Sequence, residues 1–262
     1  METIKNTITK SKKRVCAYCG NESSLTKEHI WPLSIIQRSF SKSMRFSQRA
    51  NKVFSADLTI ADVCALCNNG NLSLLDSYLC KLYDEYFNEF AEKSSKITFK
   101  YDYNDLLRVL LKISYNTARA NKNLTDTKLL ESHKYFILNG GESPENFILF
   151  LDLIPPTLNG NEKVYPHSAR SGSILFREKV DWARIRLVSI NSYYFYIIII
   201  DSQPNSLKRT EVKKFISNIS GTLISPNKTE RNLTINKEID TYDIHSPHFD
   251  MNSELYDNFT KK

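Results

Sequence analysis

The chain predicts an α+β fold with a zinc-stapled N-terminal unit of two strands and a helix, a helical middle and a β-rich C-terminal part. Three observations predict it. Two C-x-x-C pairs, Cys16/Cys19 and Cys64/Cys67, stand with 44 residues between them in the N-terminal part of the 262 residues. From Leu72 to Leu138 apolar residues recur at three- and four-residue spacing, the period of helices packed on one face. From Phe147 onward the sequence turns to β-branched and aromatic runs, the composition of buried strands.

In order along the chain, residues 1–13 are polar and Lys-rich, a flexible basic lead-in. Residues 14–20 form the first metal knuckle, with Gly20 supplying a tight backbone turn behind Cys19. A short strand over 25–30 carries Glu28 and His29 and is stopped by Pro32. Leu33, Ile36 and Phe40 give helical spacing over 33–40, with Ser34 as a cap. Residues 41–52 are a basic loop or hairpin, and 53–63 alternate enough for a strand that enters the second knuckle. Asn68-Asn69-Gly70 reads as a turn. Helices follow over 72–93, 104–120 and 126–138, the last ended by Asn139-Gly140-Gly141. Strands are expected over 147–154, 173–176, 185–190 and 193–201, with Asn191-Ser192 as a hairpin turn. A short helix at 211–219 and an irregular polar tail from 227 complete the reading. The chain divides into the lead-in 1–13, an N-terminal domain 14–94 and an α+β domain 95–262 of unassigned role. A boundary near 143 is the alternative.

Composition narrows the functional class. Apolar residues make up 41% of the chain, enough for a packed core. No apolar run reaches the roughly 20 residues that span a bilayer, and no signal peptide is visible. A cytoplasmic protein with no membrane partner is the expectation. In a reducing compartment, paired cysteines point to metal before disulfides. Cys80 is left over, a small buried hydrophobe on a helix.

Net charge is +7, and it is uneven. Residues 1–52 hold 11 Lys or Arg against 3 Asp or Glu, while the remaining 210 hold 25 against 26. Positive charge concentrated beside Glu28 and His29 suits a polyanionic partner such as DNA, with RNA not excluded. A solvated basic tail is the plainer account of residues 5–14.

The chemistry gathers on few residues. Cys16, Cys19, Cys64 and Cys67 offer four thiolates, the ligand set of a closed tetrahedral Zn²⁺ site. Glu28 and His29 lie between the pairs, and Asn68 follows the second. Adjacent strand residues point to opposite faces, so Glu28 and His29 share a site only if the strand ends or bends there. Asn68 either caps the following helix or lends its amide oxygen to a metal. His133, His167, His245 and His248 lack ligand company.

The segments Thr26-Lys-Glu-His-Ile-Trp-Pro32, Val63-Cys-Ala-Leu-Cys-Asn-Asn-Gly70 and Leu72-Ser-Leu-Leu-Asp76 resemble the HNH endonucleases of the ββα-metal class. The likeness is to the bacterial branch with four zinc-binding cysteines and a C-N-N-G box, and it covers about residues 14–80. The resemblance implies a metal-dependent endonuclease acting on DNA, in bacterial restriction or phage defence, with an ATPase of such a system as the candidate partner protein. It implies His29 as the general base, Glu28 and Asn68 as ligands of a catalytic Mg²⁺ or Mn²⁺, and the four cysteines as structural zinc ligands. Lys27, Arg38, Arg45, Arg49 and Lys52 are the candidate phosphate contacts. Where the family has a middle Asn that steadies the histidine loop, this chain has Thr59, with Asn51 or Asn69 as candidate replacements. The other reading is a zinc-ribbon module that binds nucleic acid or protein without turnover.

Overall fold

Helix and antiparallel strand alternate through the computed structural model, which describes residues 14–38, 45–47, 52–54, 59–92, 94–166, 169–174, 183–200 and 221–235. Arg14–Val15 (β1) pairs with Glu22–Ser23 (β2). The loop between them closes on itself, with the Gly20 N–H donating to the Cys16 carbonyl at 3.0 Å. Gly20 has φ +77°, the left-handed conformation its place in the knuckle required. Leu25–His29 (β3) pairs with Thr59–Cys64 (β6), with a register shift between Thr26 and Glu28. Between them lie Leu33–Arg38 (α1) and a hairpin of Arg45–Ser47 (β4) with Lys52–Phe54 (β5).

The expected turn at 68–70 is reduced to a break at Gly70 within a helical run. Ala65–Cys67 (α2) runs into a π-helical turn, Asn68–Leu72, then Ser73–Leu82 (α3) and a second π-helical turn, Tyr83–Phe87. Gly70 only kinks the path, at φ −97° and ψ −116°. The Ser73 hydroxyl lies 3.0 and 2.8 Å from the Asn69 and Gly70 carbonyls, so acceptors released at the kink stay satisfied. Ser34 does not serve as the expected cap partner; its hydroxyl lies 2.8 Å from Cys80 Sγ.

Lys96–Lys100 (β7) precedes the longest helix, Tyr103–Ala120 (α4). Asp102 caps it by accepting from the Asp105 N–H at 2.8 Å. The expected single helix over 126–138 is two, Leu124–Glu131 (α5) and Lys134–Asn139 (α6). Ser132 donates to the Leu129 carbonyl at 2.7 Å, the local competition by which serine interrupts helices. Gly140, φ +74°, ends α6 as expected.

Phe147–Leu153 (β8) is followed by a small hairpin, Thr157–Asn159 (β9) with Glu162–Val164 (β10). Then come Arg170–Ile174 (β11), Ala183–Ile190 (β12), Tyr193–Ile200 (β13) and Thr222–Ile224 (β14). These form a five-stranded antiparallel sheet in the order β11-β12-β13-β8-β14. The β12–β13 turn is Asn191-Ser192, as its sequence predicted. It also reaches back to the helical run: Asn191 Nδ2 donates to the Phe87 carbonyl at 2.6 Å and Ser192 Oγ accepts from the Ala91 N–H at 2.9 Å. The tail is not wholly irregular, because Glu230–Thr234 (β15) pairs with β7. That ladder turns Phe99 and Leu233 inward, with Arg231 half-buried on the same side, and leaves Lys96, Lys100 and Glu230 exposed.

The lead-in 1–13, Arg49, Asn51, His167, the helix at 211–219, His245 and His248 lie outside the described residues. No described helix is long and apolar enough to cross a membrane.

α4 is the centre of the packing. It touches α3, α5, α6, β6, β11 and β12, and its Leu106, Leu107, Leu110, Leu111 and Ile113 are fully buried. One contiguous core runs from Cys16 through α4 to Leu233, so residues on both sides of position 95 share it. Leu110→Ala should therefore lower unfolding stability by about 3 kcal/mol, the usual cost of a buried leucine cavity. Urea denaturation checks this; an unchanged midpoint would contradict the placement of α4.

Candidate functional site

The four cysteines come from the β1–β2 loop and the β6–α2 junction, and the chain brings them together. Their sulfurs all lie within 4.8 Å of one another. A tetrahedron with Zn–S bonds of about 2.3 Å has edges of about 3.8 Å, and Cys19 Sγ lies 3.8 Å from Cys64 Sγ. That separation is far beyond a disulfide bond. The Cys64 N–H points at Cys16 Sγ at 3.3 Å. Burial opposes ionisation of Cys16, yet backbone N–H groups of Cys64, Cys19 and Tyr18 outweigh it and bring the thiol down to about 7. Burial pushes Cys19 and Cys67 up, with neighbouring sulfurs adding to the effect on both. Cys19 and Cys67, which resist losing their protons, are stabilised as thiolates when a cation shares the negative charge. The group can hold one metal ion.

Next to it, β3 delivers its residues to two sides. Lys27 is exposed, Glu28 is buried and His29 is half-buried at the strand end. Asn68, at the start of the π-helical turn, donates from Nδ2 to Thr26 Oγ1 and to the Lys27 carbonyl, both at 3.0 Å. It pins the helix start to the irregular register of β3. It is neither the N-cap of a helix nor a free amide, though its oxygen is not spent on these bonds. Thr59 stands opposite His29 in the ladder.

Glu28 faces inward. Its carboxylate, 3% exposed, pairs with Lys112 Nζ at 2.7 Å, and Lys112 also meets Asp76 Oδ1 at 2.5 Å. Lys112, on α4, is fully buried. Burial raises the Glu28 carboxyl above its ordinary range, and Lys112 pulls against it. Asp76 is raised for the same reason, with Lys112 and His29 both pulling it down. Asn116, Tyr115 and Arg119 extend α4's reach. Asn116 Nδ2 lies 3.4 Å from both Glu28 Oε1 and the His29 carbonyl. Arg119 pairs with Asp62 of β6 at 3.0 Å and its guanidinium lies 3.9 Å from the Tyr115 ring.

This placement fits a hard divalent ion poorly at Glu28. The carboxylate is turned into the core and shared between an ammonium and an amide. Among the described residues, no other trio of His, Cys, Asp or Glu ligand atoms is close enough to share an ion.

Of the candidate phosphate contacts, Lys27 is exposed at β3 and Arg38 pairs with Asp84 on the surface. The Arg45 and Lys52 backbones sit on the β4–β5 hairpin, opposite Phe54 and Ser47. Lys112, Asp76 and Asn116 are the residues that sequence reasoning missed. Each sits inside a helical pattern whose spacing reads as packing; the signal available was a Lys and an Asn in the middle of the apolar run 106–118.

Comparison of the chain with protein-family models, with curated proteins and with solved structures gives no match.

Two outcomes follow. Lys112→Met strands the buried Glu28 carboxylate and the half-buried Asp76 and should cost about 3–5 kcal/mol, the usual penalty for breaking a buried pair, whereas adding Glu28→Gln to it should recover part of that loss. Chemical denaturation of both variants measures it. The folded protein should carry one tightly held metal ion by elemental analysis, and Cys64→Ser should lose it.

Proposed function

We propose that this protein is a nucleic-acid phosphodiesterase of the HNH type, built around a structural zinc. One observation carries the reading: a two-stranded antiparallel unit, β3 with β6, runs through the cysteine cluster directly into a helix, and His29 stands half-buried at the end of the first strand. Thiolates favour zinc over harder ions in the cluster. The basic surplus of residues 1–52 supports a polyanionic substrate, and DNA is the substrate proposed. A partner ATPase in a defence system belongs to the same proposal by analogy.

In this reading the His29 imidazole takes a proton from a water molecule as the water oxygen attacks phosphorus. The opposite P–O bond breaks, and the leaving oxygen is protonated from solvent. Asn68 fixes the strand that carries His29, and Lys112 holds Glu28 inward behind it. No step is assigned to a hard divalent ion at Glu28. The burial of Glu28 against Lys112 favours a second reading, a zinc-stapled module that binds nucleic acid without turnover.

Plasmid nicking in EDTA, Mg²⁺ and Mn²⁺ separates the two. The hydrolase reading expects nicking by the wild type and a loss of at least about 100-fold in His29→Ala, the scale of general-base catalysis, with metal content unchanged. Salt-sensitive binding with no nicking under any condition would sink it in favour of the binding module.

A further inference from the structure

We infer that Asn116 of α4 is the positioning residue for the His29 segment, so that the chain beyond residue 95 completes the N-terminal unit. This rests on the reading of His29 as the base. Asn116 is fully buried, and its four polar contacts fix which way its amide points. Its oxygen faces the Tyr18 hydroxyl at 2.7 Å and Arg119 Nη2 at 2.9 Å. A guanidinium only donates, so an oxygen must face it. The amide nitrogen is thereby committed to the other side, where Glu28 Oε1 and the His29 carbonyl, both acceptors, lie at 3.4 Å. Turning the amide over would set N–H against N–H and oxygen against carboxylate.

The node joins two places that matter. Tyr18 lies between Cys16 and Cys19, so the loop of the metal cluster is tied through Asn116 to the peptide of His29. Arg119 ties the same amide to Asp62 on β6, the strand opposite β3. Within β6 the position facing His29 is Thr59. Asn69 is exposed, on the helical side. Among the described residues, the side-chain amide that reaches the His29 peptide therefore comes from α4, 87 residues further along the chain. The contacts are long and shared, so their effect is orientation rather than binding strength. Orientation is what a base at a strand end needs, because a shift of about 1 Å can cost on the order of 100-fold in rate.

Asn116→Asp is the discriminating variant. It keeps an oxygen towards Tyr18 and Arg119 and removes the donor to His29. With the full-length protein, kcat and KM are measured by plasmid nicking, and the Ile30 amide resonance, whose peptide contains the His29 carbonyl, by NMR. The expected result is a fall in kcat of about 10–100-fold, KM within about threefold, unchanged metal content and a shifted Ile30 resonance. Asn116→Ser, which retains a short donor, should regain part of the rate. A folded Asn116→Asp protein with wild-type kcat and an unmoved Ile30 resonance overturns the inference. Should Asn116→Asp not fold, Tyr18→Phe takes its place: loss of the hydroxyl that anchors the amide should move the Ile30 resonance, and an unmoved signal overturns the inference. If the wild type does not nick, or His29→Ala nicks as well as wild type, the hydrolase reading fails instead, and the NMR measurement alone decides the Asn116 link.

Discussion

A fully buried lysine dominates the architecture. Lys112 sits midway along the most buried helix and is held by Glu28 from β3 and Asp76 from α3. Removing a charge from water costs several kcal/mol unless opposite charge meets it at close range. The two carboxylates meet that requirement, and they come from different elements. The ion trio therefore fixes the strand, the helix after the cysteines and α4 relative to one another. Hydrophobic contacts alone would tolerate small slides between these elements; a buried ammonium with two acceptors does not.

The cysteine cluster and the ion trio divide the work. The cluster clasps the β1–β2 loop to the start of the helix, joining segments more than 40 residues apart in the chain. The trio, with Asn116 and Arg119 beside it, seats that clasped unit on α4. Tyr18 belongs to both, since its ring meets Tyr115 of α4 edge-on at 5.4 Å and its hydroxyl meets Asn116. The metal knuckle is thus continuous with the core rather than an appendage on it.

Much of this was legible in the residues. The C-x-x-C pairs, the strand before Pro32, the α4 pattern, the Gly140 stop and the long C-terminal strands all followed from spacing and composition, because each is a local signal. What stayed hidden was non-local. The sequence gives Glu28 as an acidic residue beside a histidine; only the fold reveals that a lysine 84 residues away claims it. Asn68-Asn69-Gly70 has turn composition, and the chain does break at Gly70, yet Ser73 and β3 satisfy the polar groups around it so that helix resumes at once. β7 and β15 each carry few apolar residues, and only their pairing makes them strands.

That last pairing bears on how the protein is made. β15 supplies the neighbour of β7, with Asn232 Oδ1 accepting from the Thr98 hydroxyl at 3.0 Å across a separation of 134 residues. A growing chain emerging from the ribosome leaves the edge of β7 unpaired until Glu230–Thr234 have been translated. The closing of so long a loop is slow, and an unpaired strand edge invites other chains meanwhile. The lysines at both ends of β7, Lys96 and Lys100, are the kind of charge that keeps such an edge from aggregating before its partner arrives.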